Sequence, residues 1–271
     1  MPEEVAIQNA DAPRTVDSLA ADLRAAGVRQ GMTLLVHSSL SSLGWVAGGA
    51  QAVILALTRV VGDFGTLVMP AYSTDNSDPQ DWRSPPIPDH WHQTVRDHTP
   101  VFDPRQTPTR GLGRIAETFR SWPDVMRSGH PAVSFCALGR YARAVTTQHG
   151  LENGLGENSP LARIYDLGGS VLLLGVGHDS NSSLHLAEHR ASWPRKRVID
   201  QGAAMRIGDQ RLWVRFKDVL LESEDFPRLG AAFDATGGSS IAKVGSATCR
   251  LMAQQALVDF GVQWIGKHRG R

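Results

Sequence analysis

Apolar and polar positions follow two periods along this chain, and the switches between them mark its elements. From Thr15 to Ala26, TVDSLAADLRAA sets Val16, Leu19 and Leu23 at helical spacing, with Thr15 or Asp17 able to cap the helix and Gly27 closing it. Met32 to Val36 is a short apolar run that ends at His37-Ser38-Ser39 and reads as a strand. A helical stretch from Gly49 to Val61 follows, then a second short strand at Leu67-Val68-Met69. Helical spacing returns at Arg114 to Ser121, and buried strands are expected at Ala132 to Leu138 and Ser170 to Val176. The latter, SVLLLGV, is the strongest strand pattern and runs through Gly177 to Ser183 into a helix over Leu184 to Ala191. Leu212 to Phe216 reads as a strand, an acidic loop continues to Asp225, and a final amphipathic helix is expected from about Ala247 to Phe260.

Strand, loop and helix in alternation predict an α/β fold, layered α/β/α around a central mixed sheet. Polar loops then fall at strand ends, where ligands bind. Between Ala71 and Leu112 the pattern breaks into a Pro-, Trp- and His-bearing stretch with Asp75, Asp78, Asp81, Asp89, Asp97 and Asp103 against four arginines. So long a segment inside a domain reads as an irregular acidic insertion facing a ligand or partner, not as a linker. The expected organisation is a flexible start over 1–14, one catalytic domain over 15–265 that includes the insertion, and a basic tail over 266–271.

Composition narrows the function classes. Lys and Arg number 28 against 27 Asp and Glu, a net charge of +1 that removes the bulk case for nucleic acid or a membrane surface as partner. Two cysteines without zinc-finger spacing give no disulfide framework, so a reducing cytoplasm is the expected location. The start, MPEEVAIQNADAPR, lacks a secretory pattern, and no apolar run approaches the roughly 18 residues of a membrane span.

The densest chemistry is His185-Leu186-Ala187-Glu188-His189, at the start of a helix that follows the most apolar strand. Residues three and four apart share a helix face, so His185 reaches both Glu188 and His189. Three readings fit: the H-x-x-E-H pattern of inverted zinc peptidases, a solvated His–Glu pair, or an imidazole base oriented by a carboxylate. Position after a Gly-rich strand exit favours the last. There is no G-x-S-x-G elbow, no Walker loop and no G-x-G-x-x-G after the first strand. Cys136, within a strand, and Cys249, on the expected last helix, read as buried and inert. Direct transfer with a general base is the chemistry left.

Five blocks in succession, LLVHSSLSSLG (Leu34 to Gly44), FDPRQTPTRGLGRIAETFR (Phe102 to Arg120), RSGHPAVSF (Arg127 to Phe135), LENGLGENSPLARIYDLGG (Leu151 to Gly169) and LLLGVGHDSNSSLHLAEHR (Leu172 to Arg190), resemble the aminoglycoside 3-N-acetyltransferases of the antibiotic N-acetyltransferase family. The likeness runs over about residues 15 to 265. It implies an α/β fold distinct from the common N-acetyltransferase superfold, acetyl-coenzyme A as co-substrate, no metal, and an aminoglycoside as acceptor. His185 falls at the family's catalytic base and Glu188 at its acidic partner. Asp179 is a second carboxylate able to orient the ring, and His178 a site-lining residue. For the cofactor the resemblance favours His37, Ser38 and Ser39 with Thr109, Arg110, Ser128, His130, Val133 and Ser134, Arg110 being the phosphate candidate. Ser183 or helix-start N–H groups are the expected oxyanion donors.

A cationic acceptor calls for acid, and the chain has two such regions. One holds Asp75 with Tyr72 beside it; the other holds Asp218, Glu222, Glu224 and Asp225. Asp75 and Asp218 are the first choices. Transfer to another small amine and a catalytically idle binding protein stay as alternatives, and a homodimer stays open.

Overall fold

The computed structural model describes residues 3–8, 11–83 and 85–270. In chain order the helices are α1 (Glu3–Gln8), α2 (Val16–Ala25), α3 (Gly49–Val61), α4 (His92–His98), α5 (Gly113–Arg120), α6 (Ala142–Thr146), α7 (Pro160–Asp166), α8 (Ser183–Arg190), α9 (Phe226–Ala235) and α10 (Gln254–His268). The strands are β1 (Thr33–Ser38), β2 (Thr66–Pro70), β3 (Met126–Arg127), β4 (Phe135–Gly139), β5 (Ser170–Leu174), β6 (Val198–Ile207), β7 (Gln210–Val219), β8 (Ser239–Val244) and β9 (Ala247–Ala253).

Seven strands form a mixed sheet in the order β3-β4-β2-β1-β5-β9-β8, and β6 and β7 pair separately. β1 lies parallel to both β2 and β5, whereas β4 and β9 run antiparallel to their inner neighbours. The apolar runs at the centre follow from burial on both faces. Leu34, Val36, Leu67, Met69, Leu172 and Leu174 face a core shared with α2, α3 and α5. Leu35, Val68, Val171 and Leu173 face the opposite core, filled by α6 to α10. This is the expected α/β/α layering, with a mixed central sheet.

Local signals explain the elements that the pattern located. Thr15 accepts a hydrogen bond from the Ser18 N–H while the Ser18 hydroxyl accepts from the Thr15 N–H, so Thr15, not Asp17, caps α2. The expected last helix is a correction. Ala247 to Ala253 is a strand, because Ala247, Cys249 and Leu251 alternate inward against β8 and β5, and the helix begins only at Gln254. Cys249 therefore sits on a strand. The start is partly helical, as α1, while residues 1, 2, 9 and 10 of the expected flexible segment, and Arg271 of the expected tail, lie outside the described residues. The basic tail is likewise corrected: α10 continues to His268 and Arg269 is buried.

The acidic insertion is held against the rest of the protein. It packs on the β6–β7 hairpin: Arg211 donates to the carbonyls of Thr99 and Arg96, and Gln201 donates to Asp81 at 3.0 Å. A buried Asp78–Arg96 pair at 2.7 Å pins α4 to it. Its ends, at Tyr72 and Gly111 to Arg114, reach the cavity described below.

Where β2 and β4 meet, Gly139 has φ +112° and its missing Cβ would stand 2.2 Å from the Gly65 carbonyl oxygen. That oxygen also accepts from the Arg140 N–H at 3.0 Å. Gly139→Ala is expected to cost about 2–5 kcal/mol through strained φ and backbone overlap. Urea unfolding checks this, and an unchanged midpoint contradicts it.

Candidate active site

β1 has parallel neighbours on both sides, so its carboxyl end is a point where the strand order reverses and a crevice opens. A cavity of about 850 Å³ occupies it. His37, Ser38, Ser39 and Ser41 come from the end of β1 and the turn after it, while Asp179 and Ser182 come from the β5–α8 connection and His185 from α8 itself. Tyr72 and the Gly111 to Arg114 turn close the opposite wall.

His185 sits in the first turn of α8 with its side chain 17% exposed, and Glu188 one turn on is fully buried. The His185 Nδ1 and Glu188 Oε2 lie 2.7 Å apart. The other carboxylate oxygen accepts from the Glu222 backbone N–H at 2.7 Å and from Arg269 Nη1 at 2.6 Å. Burial pushes the Glu188 carboxyl up, but the hydrogen bond and charge of His185, then Arg269 and the Glu222 N–H, outweigh it and hold it below the ordinary carboxylate range. An ionised carboxylate only accepts, so Nδ1 carries the hydrogen and neutral His185 keeps a bare Nε2. The ring packs on Phe226, centroids 4.8 Å apart. His37, on β1, is buried, and burial reinforced by His185 holds it down to about 3, hence neutral. Its Nε2 accepts from the Ser182 N–H at 3.4 Å, and the Tyr72 hydroxyl donates to Ser182 Oγ at 2.6 Å.

The expected site residues divide. His185, Asp179, His37, Ser38, Ser39 and Tyr72 line the cavity, and Glu188 stands directly behind His185. Glu188, not Asp179, makes the contact to the His185 ring. The other cofactor residues are absent from the cavity wall. Ser128 donates to His149 and accepts from the Phe135 N–H; His130 accepts from the N–H groups of Ala132 and Val133; Ser134 donates to the Ala71 carbonyl. These bonds fold the β3–β4 region, and Val133 is packed into the same core. Thr109 is bound to Glu117 and Arg110 to Asp75, so the arginine on the wall is Arg114. His178 is buried against Asp234 at 3.2 Å, away from the wall. Ser183, fully buried, accepts from Gln254. Glu222 reaches the site through its backbone. Asp218 accepts from the Gly154 and Val219 N–H groups, and burial pushes its carboxyl up to about 6 against those bonds and the charge of His185.

H-x-x-E-H does not gather around a metal. Both Glu188 oxygens already accept from donors, one of them a guanidinium, and His189 turns instead toward Asp218 at 3.8 Å. Among the described residues no group of three His, Cys, Asp or Glu is placed to hold a metal ion. Burial pushes both thiols, Cys136 and Cys249, up to about 12, too high for a nucleophile at neutral pH.

Residues 35–266 match the family described as aminoglycoside 3-N-acetyltransferase. The chain belongs to that family. Like other aminoglycoside 3-N-acetyltransferases it is an acyltransferase. Among its relatives is YokD of Bacillus subtilis strain 168, an SPbeta prophage-derived aminoglycoside N(3')-acetyltransferase-like protein, 46% identical over 96% of this chain and 95% of YokD. The crystal structure of YokD superposes with a TM-score of 0.94 over 98% of each chain. Aminoglycoside N(3)-acetyltransferase VII of Streptomyces paromomycinus is 36% identical over 100% of this chain and 98% of its own. The structure of AAC-IIIb in a binary complex with CoASH, 32% identical, has a TM-score of 0.85 and covers 96% of this chain and 98% of that one. No described helix is long and apolar enough to cross a membrane.

Sequence reasoning missed Arg114, Ser41 and Arg269. Arg114 follows a Gly-x-Gly turn, a usable local signal. Arg269, far from Glu188 in sequence, has none.

Four imidazoles are buried neutral: burial holds His37 and His130 down to about 3 and His149 and His189 to about 4. Because their folded values lie below the ordinary value near 6.5, the unfolded chain binds more protons from about pH 6.5 down to about 4. Stability is full above that window and falls with pH through it. Asp218 and Asp81 act oppositely, since burial raises their folded values, but they are two groups against these four and His178, which burial also lowers. The melting temperature is expected to drop steadily between pH 7 and pH 5; a flat profile contradicts the buried neutral imidazoles.

Proposed function

We propose that this acetyltransferase binds acetyl-coenzyme A and an aminoglycoside together and transfers the acetyl group directly, with His185 as general base. One observation carries this reading: a histidine on the wall of the large cavity is held by an ionised, fully buried carboxylate so that its bare nitrogen is available. An amine attacks only when its lone pair is free. Its nitrogen adds to the thioester carbonyl carbon while His185 Nε2 takes the N–H proton. The tetrahedral species then collapses, the carbon–sulfur bond breaks, and the leaving thiolate takes up the proton given back by the His185 imidazolium, leaving amide, free thiol and the neutral ring. Glu188 stabilises the imidazolium formed on the way. Ser182 accepts from Tyr72 and so keeps its own hydrogen for the developing oxyanion.

The cavity divides by chemistry. Val36, Leu40, Val46 and Leu112 offer an apolar wall for a pantetheine arm, and Ser38, Ser39 and Ser41 offer hydroxyls. Arg114, in the first turn of α5, supplies a cation beside helix-start N–H groups for phosphate. For the cationic acceptor, Asp179 on the wall and Asp218 within electrostatic reach of His185 replace Asp75, whose carboxylate is taken by Arg110. AAC-VIa has been solved bound to sisomicin, at 27% identity and a TM-score of 0.85, which supports an aminoglycoside as the acceptor.

His185→Ala is expected to slow thiol release from acetyl-coenzyme A by about 10²–10⁴-fold at pH 7; near-normal turnover would sink the assignment. Asp179→Asn and Asp218→Asn should each raise the acceptor KM about tenfold or more with little change in the KM for acetyl-coenzyme A. Steady-state kinetics across 4,5- and 4,6-disubstituted aminoglycosides and simple amines reads both constants, and mass analysis of the product locates the acetyl group. Equal turnover of simple amines would point to a different acceptor.

A further inference from the structure

Behind the His185–Glu188 pair lies a cation supplied from another part of the chain. α10 crosses α8 at Gly261, where a Cβ would stand 2.8 Å from that of Ala187. This close approach carries Arg269, just past the end of α10, to the buried carboxylate. Its side chain is 7% exposed and every nitrogen is engaged. Nη1 donates to Glu188 Oε1 at 2.6 Å, Nε to Asp225 Oδ2 at 2.8 Å, and Nη2 to Asp225 Oδ1 at 2.5 Å and to the Glu222 carbonyl. The guanidinium carbon lies 5.2 Å over the Trp193 ring.

We propose that Arg269 is a positioning residue for acetyl transfer, holding Glu188 in place and limiting how strongly the His185–Glu188 pair retains a proton. This rests on His185 being the base. Charge arithmetic supports it: Glu188, Asp225 and Arg269 sum to one negative charge, which protonation of His185 neutralises. Without Arg269 the two carboxylates leave two negative charges in a buried region, and the pair binds its proton more tightly whichever member carries it. A base that keeps its proton is idle. The other groups around the pair do not replace the guanidinium. His189 shares α8, His37 faces the ring from β1, and Asp218 acts from β7. Asp179 lines the same cavity. Lys196, a permanent cation nearby, donates to the carbonyls of Glu188, His189 and Ala191, not to the carboxylate.

The test measures the pH dependence of kcat/KM and, by NMR of 15N-histidine-labelled protein, the titration midpoint of the His185 ring, with His185→Gln identifying its signals. In Arg269→Met both the acid limb and the midpoint should move up by about one pH unit, and kcat/KM near pH 7 should fall about tenfold. Arg269→Lys keeps the charge but loses the fork, so the limb should return close to its original position while part of the rate loss stays. Glu188→Gln removes the group through which Arg269 acts. Adding Arg269→Met to it should produce a clearly smaller shift than in the wild-type background, because only Asp225 then loses its counter-charge, and this double variant carries no uncompensated charge at Glu188 should Arg269→Met alone fail to fold. A folded Arg269→Met protein with limb and midpoint unmoved, or a shift in the Glu188→Gln background as large as in the wild type, overturns the proposal. A moved midpoint with an unmoved limb supports the coupling to Arg269 and overturns His185 as the base.

Discussion

Glu188 is a carboxylate with no exposed surface, ionised, and satisfied by three donors, one from its own helix and two from distant parts of the chain. Leaving such a group short of a partner costs several kcal/mol, and its removal from water is tolerable only while all three donors stay in place. The constraint therefore ties together α8, the segment that leads into α9, and the end of α10. It also sets the tautomer of His185, because a carboxylate that can only accept obliges the facing nitrogen to carry the hydrogen. The packing of one helical layer and the tautomer of the His185 ring are consequences of the same buried charge.

The sheet decides where that pair is used. Side-by-side parallel strands β1 and β5 bring the His37–Ser38 end and the approach to α8 to one rim, with β2 on the other flank. Apolar walls on both faces lower the local polarisability, which strengthens each fixed interaction at the rim. The same burial keeps His37 neutral beside His185, so no second positive charge opposes an imidazolium there. Tyr72, reaching in from the end of β2, joins the network through Ser182. Burial thus holds both His37 and Tyr72 on the cavity wall in their neutral forms.

Much of this was legible in order along the chain. β1, α3, α5, β5 and α8 lie close to their expected places, because runs buried on both faces and amphipathic helices leave strong local patterns. The His185–Glu188 contact was legible too, since three-residue spacing on a helix already places the groups together. The Ala247 to Phe260 stretch was misread because small alternating residues fit a helix face as well as a strand, and only pairing with β8 and β5 settles it. The β6 and α9 segments left no clear signal. In the cofactor assignments, polar side chains such as Ser128, His130 and Ser134 look identical in sequence whether they meet a ligand or bond to their own backbone.

From the sequence alone the layered α/β architecture, the family and the His185–Glu188 pairing could be read, because each depends on short-range spacing or on blocks in a fixed order. Tertiary structure decided that Arg114 faces the cavity, that Asp75 is paired with Arg110 while Asp179 lines the wall, and that Arg269 is buried against Glu188 and not part of a solvated tail. Those choices depend on which surfaces the fold removes from water. Two residues many turns apart become electrostatic partners only when packing excludes solvent from between them, and no local pattern encodes that.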